Sequence, residues 1–210
     1  MISDIFIDDV YHLTCQAPAR GVQEGGAGLR KSNKEAAQTR EAIVVAAADQ
    51  IRRSGIAEAS VADVMAAAGL THGGFYRHFR NKEHLVSEAL SAAGTKTIST
   101  IDRKLAEGGV NAAVEAYLST SHRDSTTPIC PFAALGTDIA RAGSETKSAA
   151  ADVLEKLFAA LGDSEAGIDS RDDAIVAFST MMGAMILARI TSGTPLSDEI
   201  LALAKDHLRR

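Results

Sequence analysis

Residues 60 to 79 read SVADVMAAAGLTHGGFYRHF, and their punctuation leaves little choice of fold. Ser60 followed three residues later by Asp63 has the form of a capping box, which opens a helix through Ala67. Gly69 stops that helix, and Thr71 is an N-cap for the next, which the pattern carries through Phe79. Helices this short are not stable alone. Joined by the turn AAGLT, they must pack on one another as a helix-turn-helix. A preceding helix starts at about Lys34, with Ile43, Ala46, Ala47 and Ile51 spaced by three and four, and Gly55 ends it.

Composition agrees with a helical chain. The sequence has 210 residues, 46% of them hydrophobic, with 4 prolines, no tryptophan and abundant alanine, enough for one or two packed domains with helix favoured over sheet. No stretch reaches the ~18 uninterrupted apolar residues of a membrane span. The opening MISDIFIDDVYHL lacks the basic n-region and continuous apolar core of a signal peptide. Cys15 and Cys130 are too far apart in sequence for a zinc spacing and form no disulfide framework. A soluble cytoplasmic protein is expected. Residues 1–33, with the glycine-rich RGVQEGGAGLR, read as a flexible tail.

The net charge of −5 hides an asymmetry. Residues 30–92 hold nine Lys/Arg against seven Asp/Glu, residues 93–210 twelve against sixteen, and residues 1–29 one against four. A weakly basic segment on an acidic body suits a protein that touches DNA with one end.

The pair Gly73-Gly74 needs a reason, since each glycine in a helix costs about 1 kcal/mol relative to alanine. At 100° per residue Phe75 and Phe79 share one face, which reads as core, while Gly73, Gly74 and Arg77 lie opposite and Tyr76 and His78 flank the boundary. An ordinary solvated face would carry Glu, Lys and Ala there. Absent side chains near the start of such a helix leave room for base edges or a thymine methyl.

The run TREAIVVAAADQIRRSGIAEASVADVMAAAGLTHGGFYRHFRNKEHLVSEAL resembles the DNA-binding domain of the TetR family of bacterial transcriptional regulators over roughly residues 38–90. The motif carrying the likeness is G-[LV]-[ST]-x-G-x-[FL]-Y-x-[HY]-F-x-[NS]-K-[ED]-x-L. The resemblance implies that the helix beginning at Thr71 enters the major groove. His72, Gly73 and Gly74 would face bases. Thr71, Tyr76, His78 and Lys82 would hold phosphates, Tyr76 also reaching a base, and Ser60 would add a phosphate contact. At Gly74 the chain departs from the Thr or Ser usual in the family, which shifts readout toward His72 and Arg77.

Lys82 also opens a helix that Asn81 caps, and a capped N-terminus is itself a phosphate site. The histidines at 72, 78 and 84 are spaced by six, about 240° apart on a helix, so no metal is assigned to them. No cofactor is expected.

Residues 82–210 read as helical throughout. A long helix from Lys82 to about Ala106 is followed by five more, divided at Gly108-Gly109, SHRDSTTPICP, Gly143, LGDSEAGIDS and TSGTP. The fold class is all-α with about nine helices: a DNA-binding domain over 34–81 and an effector-binding and dimerisation domain over 82–210. The apolar AIVAFSTMMGAMILARI must be covered on several sides, and Leu196, Ile200, Leu203, Ala204, His207 and Leu208 line a stripe on the last helix. The resemblance implies that these two helices pair with their twins in a homodimer, with Gly183, Ala184 and Ala188 permitting close approach.

Phe132, Leu135 and Ile139 are expected to face inward, and Tyr117, Phe158, Phe178, Met181, Met182 and Met185 to line an effector pocket. Cys130 precedes Pro131, the first residue of a helix whose N-terminus would lower the thiol pKa. The expected protein is a homodimeric repressor that binds a palindromic double-stranded operator and is released by a small apolar or aromatic effector. One alternative is a regulator sensing thiol redox state through Cys130, which ranks below the plain reading of Cys130 as a buried structural cysteine. A helical enzyme with an accessory reader ranks below it, since no nucleophile elbow, phosphate loop or metal motif appears.

Overall fold

The computed structural model describes residues 28–126, 130–162, 168 and 170–209, with side chains from residue 33 onward. Of the tail expected over residues 1–33, residues 1–27 with Cys15 lie outside the described residues, and residues 28–33 belong to a helix.

Eight α-helices and one 3-10 helix occur among the described residues, and no strand. They are α1 (Gly28–Ser54), α2 (Val61–Ala67), the 3-10 helix (His72–Arg77), α3 (Lys82–Tyr117), α4 (Thr120–Asp124), α5 (Pro131–Arg141), α6 (Ser144–Leu161), α7 (Arg171–Ile190) and α8 (Pro195–Leu208). The all-α expectation holds. The described chain divides into two units between Thr39 and Arg40. In the first, helix α1 begins at Gly28 rather than near Lys34, because Leu29, Arg30 and Lys31 are good helix formers that extend it backwards. The Thr39 hydroxyl donates to the Glu35 carbonyl at 2.8 Å.

In the second unit the local signals do as their chemistry requires. The Ser60 hydroxyl accepts from the Asp63 amide at 3.1 Å and donates to the Asp63 carboxylate at 2.6 Å, capping α2. Gly69 takes φ +72, and the Leu70 amide reaches back to the Met65 carbonyl at 2.8 Å. That left-handed C-terminal turn is what Gly69 makes possible. The following element is a 3-10 helix, not the α-helix expected through Phe79, and the Thr71 side chain makes no capping bond. Two consecutive glycines weaken the α-helical alternative, and the tighter spiral still buries Phe75 and Phe79, whose rings stack at 5.6 Å. Asn81 caps α3 by accepting the His84 amide at 2.8 Å.

The predicted division at Gly108-Gly109 is a break within α3, with Gly109 at φ +65. The stretch expected to be a loop holds α4, where the Ser119 hydroxyl accepts the His122 amide. Pro131 sits in the first turn of α5, as expected. Helix α3 packs along α6, closely enough that a Cβ on Gly94 would overlap the Val153 side chain. Helix α7 packs against α4, α5, α6 and α8. It is long and apolar enough to cross a membrane by length and composition, yet its Ala174, Phe178, Met181, Met185 and Ala188 are core residues of this helical body.

Its outer face is also apolar. Val176, Leu187 and Ile190 on α7, with Leu196 and Leu203 on α8, are exposed, and nothing stands within 4 Å of a Cβ placed on Gly183. Gly183 therefore faces outward, whereas Ala184 and Ala188 are buried inside the chain. Leu208, too, turns inward. The close-approach role expected of the two alanines is spent on packing within one chain.

Candidate nucleic-acid interface and buried body residues

The segment from Thr71 to Lys82 presents one polar, cationic surface anchored by two buried rings. Thr71, His72, Gly73, Tyr76 and Arg77 are exposed, while Ser60, Gly74, His78 and Lys82 are partly buried. Tyr76 is 72% exposed, its ring held edge-on against Phe75 at 5.2 Å. Arg77 pairs with no carboxylate among the described residues, whereas Arg80 reaches Glu145 at 2.8 Å. The Lys82 ammonium donates to the Ala57 carbonyl at 3.0 Å, which fixes it beside the α1–α2 loop and leaves two of its three protons unspent.

Nothing inside the described chain demands the two glycines. Neither Gly73 nor Gly74 has a positive φ. A Cβ on Gly73 would meet nothing within 4 Å, and one on Gly74 only the Met65 terminal methyl at 3.6 Å, an ordinary contact.

A charged latch joins this region to the long helix. Arg40 forms a two-pronged ion pair with Glu88, its guanidinium lying 4.8 Å from the centre of the Phe79 ring. His84 reaches the same carboxylate at 2.9 Å. The hydrogen bond from Arg40, with its charge and that of His84, holds the Glu88 carboxyl below the usual carboxylate range against the opposing effect of burial. Further along, a Glu83 carboxylate oxygen accepts the Glu145 amide at the start of α6, at 3.2 Å.

In the body, several expected lining residues converge. Phe178 lies 6.0 Å from Tyr117, 6.3 Å from Phe132 and 6.2 Å from Phe158, ring centre to ring centre. Tyr117, Phe132, Leu135, Phe178, Met181 and Met185 are buried; Phe158 and Met182 are partly so. Ile139 faces inward as well. An open groove of about 270 Å³ lies elsewhere, lined by Leu118, Thr120 and residues of α8, and none of the expected lining residues borders it.

Cys130 is the buried structural cysteine of the plainer reading, not a thiol activated by its helix start. It is fully buried, and burial pushes its thiol up, outweighing the lowering by the Tyr117 hydroxyl and the Phe132 and Ala133 amides. The helix start does pull as supposed, but desolvation of a thiolate is the larger effect.

Sequence reasoning passed over His122, Arg189 and Asp138. His122 fell in a presumed loop and Arg189 in a run read as apolar. The three come into view only through contacts between distant parts of the chain, such as Arg189 with the His122 carbonyl at 2.9 Å.

A capped short helix, a left-handed glycine turn and an exposed second helix on two buried rings define a helix-turn-helix protein. Residues 43–89 match the model of the bacterial regulatory proteins of the tetR family. The chain is 30% identical over 179 residues to the HTH-type transcriptional regulator MT0206 of Mycobacterium tuberculosis, covering 75% of this chain and 88% of that protein. The chain belongs to the TetR family. It is also 38% identical over 64 residues to the regulator TtgR of Pseudomonas putida, a match spanning 30% of the length of each. A TetR transcriptional regulator from Chloroflexus aurantiacus superposes with a TM-score of 0.67 at 26% identity, covering 83% of this chain and 94% of the other. Reduced NemR of E. coli shares the fold at a TM-score of 0.67 and 19% identity, covering 80% and 96%.

Proposed function

We propose that this protein is a cytoplasmic, homodimeric repressor that binds a palindromic DNA operator and leaves it when a small apolar or aromatic molecule binds the body. The observation that carries this reading is the bare surface at exposed Gly73 and partly buried Gly74, which neither backbone conformation nor internal packing accounts for. A glycine pair kept where alanine would fit without strain implies close approach from outside, and a base-pair edge fills that role.

His72, Gly73, Gly74 and Arg77 then read bases, while Ser60, Thr71, Tyr76, His78 and Lys82 hold the backbone. The reader comprises residues 34–81 and the body residues 82–210. The outer apolar face of α7 and α8, with Val176, Leu187, Ile190, Leu196 and Leu203 exposed, is where a second copy would dock in a four-helix interface. Two recognition helices about 34–36 Å apart engage successive major-groove faces. An effector among Phe178 and its neighbours shifts the population toward a different separation. Cys130 is a poor redox sensor on this reading, since its thiol is buried and hard to ionise.

The test is a gel shift against DNA upstream of the protein's own gene, with the ratio of specific to non-specific affinity measured at fixed salt. A ratio above about 10³ is expected. A ratio near one marks a non-specific DNA binder, and no shift at all removes the DNA reading.

A further inference from the structure

Helix α6 begins without a cap of its own. Gly143 holds the N-cap position and has no side chain to accept an amide of the first turn. The acceptor comes from another helix. Glu83, in the first turn of α3 and next to Lys82, takes the Glu145 amide at 3.2 Å. Gly143 is what lets it in. A Cβ there would overlap the Glu83 carboxylate, although the φ of −68° at Gly143 suits any residue. This glycine serves the approach of Glu83, and its backbone conformation does not require it.

A second contact of the same design runs the opposite way. Asp138, on α5 and just before the same α5–α6 corner, accepts the Ile56 amide at 2.9 Å. That carboxylate also sits over a glycine, 2.9 Å from where a Cβ on Gly55 would stand. An acid at the reader end of α3 thus caps a helix of the body, and an acid of the body holds a loop of the reader. One such bond would leave a pivot. Two bonds, to the loop before α2 and to the start of α3, fix the direction in which the 3-10 helix between them points. A third link, Arg80 to Glu145 at 2.8 Å, is solvent-exposed and adds little alone.

We propose that Glu83 and Asp138 are positioning residues for DNA binding, which together set the angle between reader and body and hence the half-site spacing a dimer accepts. This rests on the dimeric operator-binding reading above. Each base pair of spacing moves a half-site by about 3.4 Å and turns it by about 35°. A reader held at a fixed angle therefore fits one spacing, whereas a loosened reader follows several.

The test uses the full-length protein and half-sites that the wild type selects from a randomised library. Inverted pairs are built at the selected spacing and at one base pair more and one fewer. The wild type should lose at least about tenfold in affinity at either altered spacing, since both half-sites can no longer be engaged together. Glu83→Ala, Gly143→Ser and Asp138→Ala should each lose only about threefold or less. Ratios between spacings are compared, because removing an acid near DNA raises affinity for every duplex alike. Glu83→Gln keeps an acceptor oxygen and should keep the wild-type penalty. Gly143→Ser separates positioning from plain capping: its side chain displaces Glu83, while its own hydroxyl caps α6. A purely structural role for Glu83 predicts that Gly143→Ser melts and discriminates like the wild type. The positioning role predicts wild-type melting with relaxed spacing. A wild-type penalty retained in any of the three variants, or no spacing preference in the wild type, would overturn the inference. Failure of the wild type to select any half-site sinks the regulator reading itself, and the inference with it.

Discussion

The carboxylate of Asp138 on α5 accepts the backbone amide of Ile56 at 2.9 Å, tying the body to the loop between α1 and α2. The loop is shaped to receive it. Gly55 stands at φ +90, and a Cβ there would lie 2.9 Å from the same carboxylate oxygen. Helix α5 presents Phe132, Leu135 and Ile139 to the interior, so one helix touches the aromatic cluster on its inner side and the reader through Asp138. Asp138 is thus a direct link between α5 and the loop that precedes α2.

Asp138→Ala should therefore free this loop. The lost bond is charge-assisted but partly exposed, so the stability cost is about 1 kcal/mol, that of an ordinary hydrogen bond rather than of a buried one to a charged group. Amide exchange at Ile56 should accelerate about fivefold or more by hydrogen-exchange NMR, with Asp138→Asn intermediate because it keeps an acceptor oxygen. Unaltered exchange at Ile56 in the alanine variant would mean that the link carries no restraint.

Gly94 is a packing glycine. A Cβ there would overlap the Val153 side chain, and a β-branched valine in a helix has little rotamer freedom to yield. Gly94→Ala gains helix propensity yet should lose stability by about 1–3 kcal/mol, the usual cost of overpacking. Chemical denaturation of the variant and of Gly94→Ala/Val153→Ala checks it. The double variant should recover part of the loss, and a stabilised single variant would contradict the close α3–α6 contact.

What the sequence disclosed was local. Ser60 with Asp63, Gly69 and Asn81 each act within four residues, so caps and turns could be read in order. Helix α4 could not be, since five residues are too few to show a period. Nor could the outward face of α7 be picked from a helix apolar all round, and Ala184 and Ala188 turned inward while Gly183 did not. The 3-10 winding at His72–Arg77 escaped because helical periodicity over six residues does not separate it from an α-turn. His122 and Arg189 are 67 positions apart, and a single sequence holds no signal that brings them together.

His122 sets an acid limit on stability. Burial lowers its pKa to about 4, against a smaller raising effect of the Tyr117 carbonyl. The folded value is below the unfolded value of about 6.5, so the unfolded chain binds more protons between them. Stability from this group is complete above about pH 6.5 and is lost as pH falls toward about 4, by at most about 3 kcal/mol. His122→Asn, whose amide can still donate to the Tyr117 carbonyl, should flatten the denaturation midpoint over that window. An equally steep pH dependence in the variant would assign the effect to other groups.

Lys82 should act on DNA without regard to sequence. A phosphate contact neutralises one backbone charge per subunit, so Lys82→Ala should weaken operator and random DNA alike. The slope of log affinity against log salt should fall by roughly 0.9 per subunit. Loss of its bond to the Ala57 carbonyl costs about 1 kcal/mol of stability, so the slope is measured below the melting range. An unchanged slope takes Lys82 out of the interface.

Gly74→Thr separates sequence reading from mere contact. The backbone there is not left-handed, and the added carbon would meet only the flexible end of Met65. The variant should fold and gain about 0.4–1 kcal/mol, since glycine leaves the unfolded chain freer than any other residue. Its new methyl and hydroxyl would project from the exposed start of the 3-10 helix. Operator selection from a randomised library should then change at the base pairs beneath that end, by about 1–3 kcal/mol per altered pair, and stay fixed elsewhere in the half-site. Gly73→Ala, with open space around it, should weaken the wild-type operator in the same experiment. If both variants select the wild-type sequence at wild-type affinity, the bare glycine surface faces no base, and the reading built on it fails.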